Sequence, residues 1–324
     1  MIAFTLCANN YLPYAFSLGE SLKSTNPNVR FVIGLVDKKL KDFDYLQYEV
    51  IEVKDIVAPD LLEEMAAIYS ITELSTAVKP FYFKHFFDKS EESKVMYFDP
   101  DIRVYSSLEN LESYLGDHDV VLTPHMLKPP LDDKDPTDRS FLATGVYNLG
   151  FVGFRKSKES EVFLDWWSEK LITQSYGGDG LFFDQLWMSY APCFLQNVKI
   201  LHDPGYNVAN WNLHERVLNK TEDTFYVNSV HPLVFFHFSN YKIDRPHILA
   251  IYNTRYSVAD REDLRELLSE YVDLISNYIE MVDLQLEPYY GIRKRGNKLP
   301  HEIKGIRKLL LNFFRKGERF VLRY

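Results

Sequence analysis

Lys94-Val-Met-Tyr-Phe-Asp-Pro-Asp-Ile-Arg-Val-Tyr105 is the stretch that decides the fold. Val95 to Phe98 is apolar and rich in β-forming residues, which predicts a buried strand. Asp99 and Asp101 follow at its end, and Pro100 between them interrupts strand hydrogen bonding and turns the chain. Two carboxylates so placed can chelate a hard cation such as Mn²⁺ or Mg²⁺, although a solvated acidic turn would show the same pattern.

The N-terminal region predicts a parallel sheet around this strand. Ile2 to Cys7 and Arg30 to Val36 are apolar runs typical of buried strands, and Tyr14 to Lys23 between them has helical spacing. A strand, helix, strand order implies a right-handed crossover, and ligands in such sheets bind at the carboxyl ends of the strands. No Gly-x-Gly-x-x-Gly or Walker loop occurs, which disfavours a Rossmann dehydrogenase or a P-loop enzyme.

Further elements follow the same kind of pattern, without internal repeats. Strands are expected at Tyr48–Val53, Asp119–Thr123, Thr144–Phe154, Val198–Leu201 and Val234–Phe238. Helices are expected at Ala58–Tyr69, Glu73–Phe87, Ser160–Gln174, Leu181–Trp187 and Val258–Leu286, with Lys79-Pro80 marking a kink or a new helix start. Leu127 to Arg139 is predicted to be a long loop, of the kind that often covers a site.

Composition narrows the class of protein. The chain has 324 residues and is 46% hydrophobic, enough for a large core. Two cysteines without zinc spacing fit a reducing compartment, and no leader or 18-residue apolar run is present, so a cytoplasmic location is expected. Residues 291–324 carry a charge of +9 and the rest carries −18, and such an acidic body disfavours nucleic-acid binding.

Polar side chains collect at the predicted strand ends, and each has a purely structural explanation as well as a functional one. Asparagines there can cap helices, an aspartate can stabilise a helix N-terminus, and a histidine in an apolar strand is often a packed core residue. The residues concerned are Asn9, Asn10, Asp99, Asp101, His125, Asn148, Asp184, Gln185 and His237.

The order of these residues resembles that of the GT-A glycosyltransferases. The match is closest to the family 8 type, which includes glycogenin and the bacterial lipopolysaccharide galactosyl- and glucosyltransferases. The matching pieces are Ala8-Asn-Asn-Tyr11, Asp99-Pro-Asp101, Tyr147-Asn-Leu-Gly150, Asp184-Gln185 and His237-Phe-Ser-Asn-Tyr-Lys242. The resemblance implies an α/β fold in residues 1–250, with a mixed, mainly parallel sheet flanked by helices. A C-terminal helical extension would occupy residues 251–324.

The resemblance also implies roles for individual residues. Asp99, Asp101 and His237 would be ligands of Mn²⁺ or Mg²⁺. Asp184 and Gln185 would lie near the transferred sugar as catalytic residues. The donor would be bound by Asn9, Asn10, Lys79, Asn148 and Lys242. Asn240 stands where the family usually has glycine, and no Pro-Trp follows Lys242.

The activity implied is metal-dependent transfer of a sugar from a nucleotide-sugar donor, a UDP-hexose. The acceptor would be a glycan or a lipid-linked acceptor in cell-surface polysaccharide synthesis, as in lipopolysaccharide biosynthesis. Retention needs no strong protein base, whereas inversion would need a carboxylate, with Asp179 and Asp184 as candidates. Two alternatives remain open: a non-catalytic carbohydrate-binding protein on the same fold, and a sugar nucleotidyltransferase.

The basic segment 291–324 predicts a membrane partner. Its basic residues alternate with apolar ones at helical spacing, which is typical of a helix lying on an anionic membrane surface. Peripheral attachment to the inner face of the membrane is therefore expected. The alternative is a helix packed on the body with its basic face in water.

Overall fold

The computed structural model describes residues 1–291. Within that range the chain forms fifteen strands and nine α-helices, joined by loops and short 3₁₀ turns. The strands are β1 (Ile2–Cys7), β2 (Arg30–Leu35), β3 (Glu49–Glu52), β4 (Lys94–Phe98), β5 (Ile102–Val104), β6 (Val120–Pro124), β7 (Tyr147–Arg155), β8 (Gly177–Gly178), β9 (Leu181–Phe182), β10 (Val198–Ile200), β11 (Val208–Ala209), β12 (Leu218–Thr221), β13 (Thr224–Val227), β14 (His231–Pro232) and β15 (Phe235–His237). The helices are α1 (Leu12–Thr25), α2 (Pro59–Ile68), α3 (Ile71–Ala77), α4 (Lys79–Lys89), α5 (Glu109–Asp117), α6 (Asp138–Thr144), α7 (Lys158–Gln174), α8 (Ala191–Phe194) and α9 (Arg265–Ile279).

A seven-stranded sheet forms the centre, in the order β10-β6-β7-β4-β1-β2-β3. Every neighbouring pair is parallel except the two that involve β7, which runs antiparallel to β4 and β6. Its central strands are buried on both faces because helices cover them, as the continuous apolar runs predict. The mixed, mainly parallel sheet flanked by helices is therefore confirmed.

A second sheet has three strands in the order β11-β15-β5, and it is connected to the large sheet where β5 follows β4 along the chain. Strand β4 ends at Phe98, the chain turns through Asp99-Pro100-Asp101, and β5 then pairs antiparallel with β15. The stretch from Lys94 to Tyr105 thus crosses from one sheet to the other. Its turn lies where the two sheets meet.

The structure corrects two of the predicted helices and adds one element that the sequence does not predict. Leu181–Trp187 is not a helix: β8 and β9 form a small hairpin, and residues from Leu186 to Tyr190 make a 3₁₀ turn. Positive φ angles at Asp179 and Phe183 place this segment outside helical geometry. The helical stretch expected from Val258 to Leu286 is shorter, because two 3₁₀ turns precede α9. The antiparallel ribbon β12-β13-β14 was not expected from the sequence.

Lys79-Pro80 starts a new helix rather than kinking one, since α3 ends at Ala77 and α4 begins at Lys79 with proline in its first turn. Helix α9 packs its apolar face on the body beside Tyr14 and Val208. In residues 1–291 no helix is both long and apolar enough to span a bilayer. The division at residue 250 stays a prediction, and nearly all of the basic segment 291–324 lies outside the described residues.

Candidate active site

Strand register brings the two aspartates and the histidine together. The backbone N–H of Asp99 donates to the carbonyl of Gly150 on β7 at 2.7 Å, which fixes the end of β4. In the small sheet His237 lies opposite Ile102, and the N–H of Phe238 donates to the carbonyl of Asp101 at 2.9 Å. The pairing of β5 with β15 therefore places the imidazole beside both carboxylates.

These three side chains form a possible metal site. His237 Nε2 lies 3.1 Å from Asp101 Oδ1 and 3.6 Å from Asp99 Oδ2, and one ligand atom from each residue falls within 4.8 Å of the others. His237 is buried, whereas the carboxylates are partly exposed, at 31% for Asp99 and 23% for Asp101. An imidazole and two carboxylates suit Mn²⁺, and the exposed side leaves coordination positions for other oxygen ligands.

The electrostatics of the three residues are coupled. Partial burial raises the pKa of Asp99, and its neighbour Asp101 adds to the effect. Burial acts on Asp101 as well, but the contact with His237 outweighs it and lowers the pKa of Asp101. Burial alone would lower the pKa of His237, yet Asp101 and Asp99 together raise it. The cluster therefore favours a positive charge at its centre, which a metal ion would supply.

An amide network orients the histidine. His237 Nδ1 is 3.3 Å from Asn148 Oδ1, an oxygen that also accepts hydrogen bonds from the N–H of Gly150 and from Asn207 Nδ2. Asn207 Nδ2 in turn lies 2.9 Å from Thr123 Oγ1. Hydrogen bonds to the second ring nitrogen fix the orientation of a metal-binding histidine.

Gln185 contacts the side-chain nitrogen of Asn148, whereas His237 contacts its side-chain oxygen. Its Oε1 accepts hydrogen bonds from the N–H of Leu149 and from Asn148 Nδ2, and its Nε2 donates to the carbonyl of Thr144. The amide is thus fixed in orientation, at the edge of a cavity described below.

Lys79 and Asp184 form a buried ion pair behind the metal cluster. Lys79 Nζ is 2.6 Å from Asp184 Oδ2, and the two side chains are 1% and 4% exposed. The same ammonium donates to the carbonyl of Leu149 and lies 4.0 Å from the ring centre of Tyr97, whose hydroxyl donates to Asp99. Burial raises the pKa of Asp184, an effect that Lys79 opposes. Lys79 therefore contacts protein groups in this structure. Its contact with the nucleotide-sugar donor stays a prediction.

A cleft of about 240 Å³ opens at the carboxyl end of β1. Asn10, Tyr11, Asp99 and Asp101 line it together with α3. Asn9 faces elsewhere: it is buried, its backbone N–H donates to Asp37, and its side chain donates to the carbonyl of Lys38. Of the three asparagines predicted to contact the donor, Asn10 lines this cleft, and Asn9 and Asn148 do not.

Lys242 lies at the same end of the sheet. Its ammonium donates to the hydroxyl of Tyr11 at 3.2 Å. It also contributes to the lowered pKa of Asp101. A positive charge therefore lies beside Tyr11, which lines the cleft.

A larger cavity, of about 640 Å³, lies on the other side of the metal cluster. Asn148 and Gln185 line it, and so does Trp211, whose ring packs edge-on against that of His237 at 5.2 Å between centres. Asp99 and Asp101 line the cleft, whereas the cavity reaches the cluster only through Asn148 and Trp211, which both contact His237. We call them the donor-side cleft and the aromatic cavity.

Sequence reasoning missed several members of this site. Tyr97 precedes Asp99 by two residues, and the alternation of side chains along a strand could have suggested that they share a face. Trp211 and Asn207 lie in irregular segments, where no periodicity signals their position. Asp179 sits on an exposed turn and does not line either cavity.

Comparisons with known proteins agree with this architecture. No protein-family model matches the sequence. The sequence is 24% identical over 246 residues to YfnF of Bacillus subtilis strain 168, an uncharacterized protein, and the match spans 74% of this chain and 81% of YfnF. The glycosyltransferase GlyE of Streptococcus pneumoniae TIGR4 superposes with a TM-score of 0.50 at 16% identity, over 90% of this chain and 65% of GlyE. The bifunctional glycosyltransferase WbbM gives a TM-score of 0.50 at 15% identity, over 86% of this chain and 50% of WbbM.

The fold is that of the GT-A glycosyltransferases. The resemblance inferred from the order of sequence motifs is thereby confirmed at the level of the fold. Two of the strand ends that carried those motifs, those of β4 and β15, supply the three residues of the metal cluster. The roles of individual residues stay predictions, and they enter the proposal that follows.

Proposed function

We propose that the protein is a metal-dependent glycosyltransferase that takes its sugar from a nucleotide-sugar donor. The observation that carries this proposal is the position of the Asp99, Asp101 and His237 cluster between the donor-side cleft and the aromatic cavity. A GT-A enzyme needs a nucleotide site on one side of the diphosphate and an acceptor site on the other. The cluster lies where the diphosphate would bridge them.

The three ligand residues fit Mn²⁺ or Mg²⁺. When bound, the ion would stabilise the negative charge that develops on the departing diphosphate. Lys242, at the cleft, supplies further positive charge to the same leaving group. Asn10 and Tyr11 shape the part of the cleft that would receive the nucleoside, and a uridine donor is the one that the resemblance favours.

The amide network holds the sugar side of the site. Asn148 and Gln185 line the aromatic cavity with their orientations fixed by neighbouring backbone groups, so they are suited to bind sugar hydroxyls. Asp184 forms an ion pair with Lys79 and lines neither the donor-side cleft nor the aromatic cavity. Its proposed role is therefore to stabilise the segment that carries the neighbouring Gln185. This arrangement agrees better with retention of configuration, which requires no free carboxylate base.

The proposal is tested by donor binding and turnover. Titration with UDP, with and without Mn²⁺, should show binding that depends on the metal, and a panel of UDP-hexoses should then identify the donor through release of UDP. Asp101→Asn should abolish metal-dependent binding and turnover, while Asp88→Asn on the exposed end of α4 should change neither. Full activity of Asp101→Asn would refute the proposal.

The same measurements separate the alternatives. Metal-dependent UDP binding without turnover of any donor would favour a non-catalytic carbohydrate-binding protein. Release of pyrophosphate from a nucleoside triphosphate and a sugar phosphate would favour a nucleotidyltransferase.

The place of the reaction is part of the proposal. The +9 charge of residues 291–324 suggests attachment to the anionic face of a membrane, where lipid-linked acceptors of cell-surface polysaccharides are made. A chain that lacks residues 291–324 should lose binding to vesicles that contain anionic lipid, with donor binding retained. Unchanged vesicle binding would contradict the membrane role.

A further inference from the structure

We propose that the aromatic cavity binds the acceptor as an uncharged saccharide and discriminates against anionic ones. This inference rests on the proposed function and adds the chemical class of the second substrate. Aromatic and uncharged polar side chains make up most of the lining; His125, Phe141, Phe182, Trp211, Gln185 and Tyr252 are among them.

The cavity has the size and surface of a small-molecule site. Its volume of about 640 Å³ falls within the range usual for ligand pockets, which are mostly apolar with a few fixed polar groups. Apolar ring faces and fixed amides match a sugar, which presents C–H faces and hydroxyls on the same ring. Phe141 stacks on His125 at 4.6 Å between centres, so the two rings form one apolar face of the cavity.

Trp211 offers an unused hydrogen bond. The residue is 4% exposed, and its indole Nε1–H has no hydrogen-bond partner within residues 1–291. A buried donor without a partner costs free energy, and a ligand that accepts its hydrogen bond removes that cost. Sugar hydroxyl oxygens are acceptors of the right kind, and Trp211 both lines the cavity and packs against His237.

The lining carries little charge, and the charge present is negative. Asp135 is the one carboxylate among the described residues that line the cavity, and no described lysine or arginine lines it. His125 is neutral at working pH, because burial lowers its pKa to about 3. A bound anion would therefore meet a carboxylate without a compensating cation.

The backbone of Asp135 is hydrogen-bonded to Thr254, another residue that lines the cavity. Its N–H donates to Thr254 Oγ1 at 2.8 Å, and the N–H of Thr254 donates back to the carbonyl of Asp135 at 3.0 Å. Arg255 adds a paired contact with Asp132 on the same loop. The predicted loop of residues 127–139 is thus bound to the neighbouring segment at Thr254 and Arg255, and Asp135 in this loop lines the cavity.

The experiment measures saccharide binding directly, in the presence of saturating UDP and Mn²⁺. The probes are methyl glycosides of neutral hexose disaccharides and their counterparts ending in a uronate, titrated by calorimetry or by saturation-transfer NMR. Neutral members should bind at least about tenfold more tightly than their uronate counterparts, since like charges brought together oppose binding. Asp135→Asn should remove most of that difference, and Asp133→Asn, an exposed neighbour outside the lining, should leave it unchanged.

A second variant tests the indole. Trp211→Phe keeps a ring beside His237 and removes the N–H, and it should weaken neutral saccharides by about three- to tenfold, the contribution of one net hydrogen bond. UDP binding with Mn²⁺ should stay at the wild-type level in Asp135→Asn, because Asp135 lines the aromatic cavity and not the donor-side cleft.

Each outcome has a clear meaning. Tighter binding of uronates, or discrimination that survives Asp135→Asn, would overturn the inference. Metal-dependent UDP binding with no saccharide bound would overturn it and leave the proposed function standing. Saccharide binding with the expected preference, but no UDP binding, would support the assignment of the cavity and refute the proposed function.

Discussion

Gly150→Ala should disable the metal cluster without removing any of its ligands. Gly150 lies on β7 opposite the end of β4, and its φ is outside the left-handed region, so alanine fits the backbone there. A Cβ at this position would lie 2.3 Å from His237 Cε1 and 2.5 Å from its Nδ1. Ordinary contacts begin at about 3.4 Å, so the ring must retreat by about 1 Å.

The size of the effect follows from that displacement. Metal–nitrogen bonds in proteins vary by only about 0.2 Å, so a ring displaced by about 1 Å is no longer a ligand. Disturbing the partners that orient a ligand costs about 10- to 100-fold in metal affinity, and we expect a loss at the upper end of that range. The extra methyl group should also destabilise the fold by about 1–3 kcal/mol, the usual cost of overpacking.

Mn²⁺ binding is the assay, measured by the spin resonance of the free ion, with and without UDP. Gly153→Ala on the same strand is the matched control, because its Cβ would meet only the side chains of Leu115 and Met96, at 3.1 Å or more. His237→Ala and the double variant Gly150→Ala/His237→Ala complete a cycle. The double variant should bind Mn²⁺ no more weakly than His237→Ala, since both changes remove the same ligand. Wild-type affinity in Gly150→Ala would refute the reasoning.

Three further predictions concern the groups around the site. Lys79→Met should destabilise the fold by about 3–5 kcal/mol in urea unfolding, because it leaves the Asp184 charge buried and unpaired, and adding Asp184→Asn should restore much of the loss. The free energy of unfolding should fall by up to about 1.4 kcal/mol per pH unit as the pH drops from 6.5 toward 3. The reason is that His125 binds a proton in the unfolded chain but stays neutral in the folded protein, where burial lowers its pKa to about 3. His125→Gln should flatten that slope, and an unchanged slope would contradict the account. Arg255→Ala should loosen the loop that carries Asp132, and amide hydrogen exchange in that loop should become faster. The KM for the acceptor should rise and the affinity for UDP should stay unchanged. Equal exchange rates would show that the remaining contacts hold the loop without Arg255.

The sequence predicts the large sheet well because local patterns specify it. Continuous apolar runs identify the buried strands, and polar residues at the ends of these runs locate the site, as at Asp99 after β4 and Asn148 near the start of β7. The pairing of β5 with β15 could not be predicted, since each strand has only three residues and their register depends on tertiary packing. The burial of Lys79 with Asp184 was missed for a similar reason: a charged residue at a helix start is usually exposed unless a partner is buried beside it.

Segment 181–187 was misassigned because apolar residues at short spacing fit a helix and a turn equally well. Its conformation depends on Gly180 and Phe183 with positive φ, and a phenylalanine gives no sequence signal for that geometry.

The crossing of the chain from the large sheet to the small one has a consequence for folding. Asp101 and His237 are remote in sequence, and the small sheet that joins them is short. An ion bound between them would act as a cross-link that closes a long loop, and such closures reduce the chain entropy of partly unfolded states. The β5–β15 pair should then be the part of the molecule that a metal ion protects most against local opening and proteolysis.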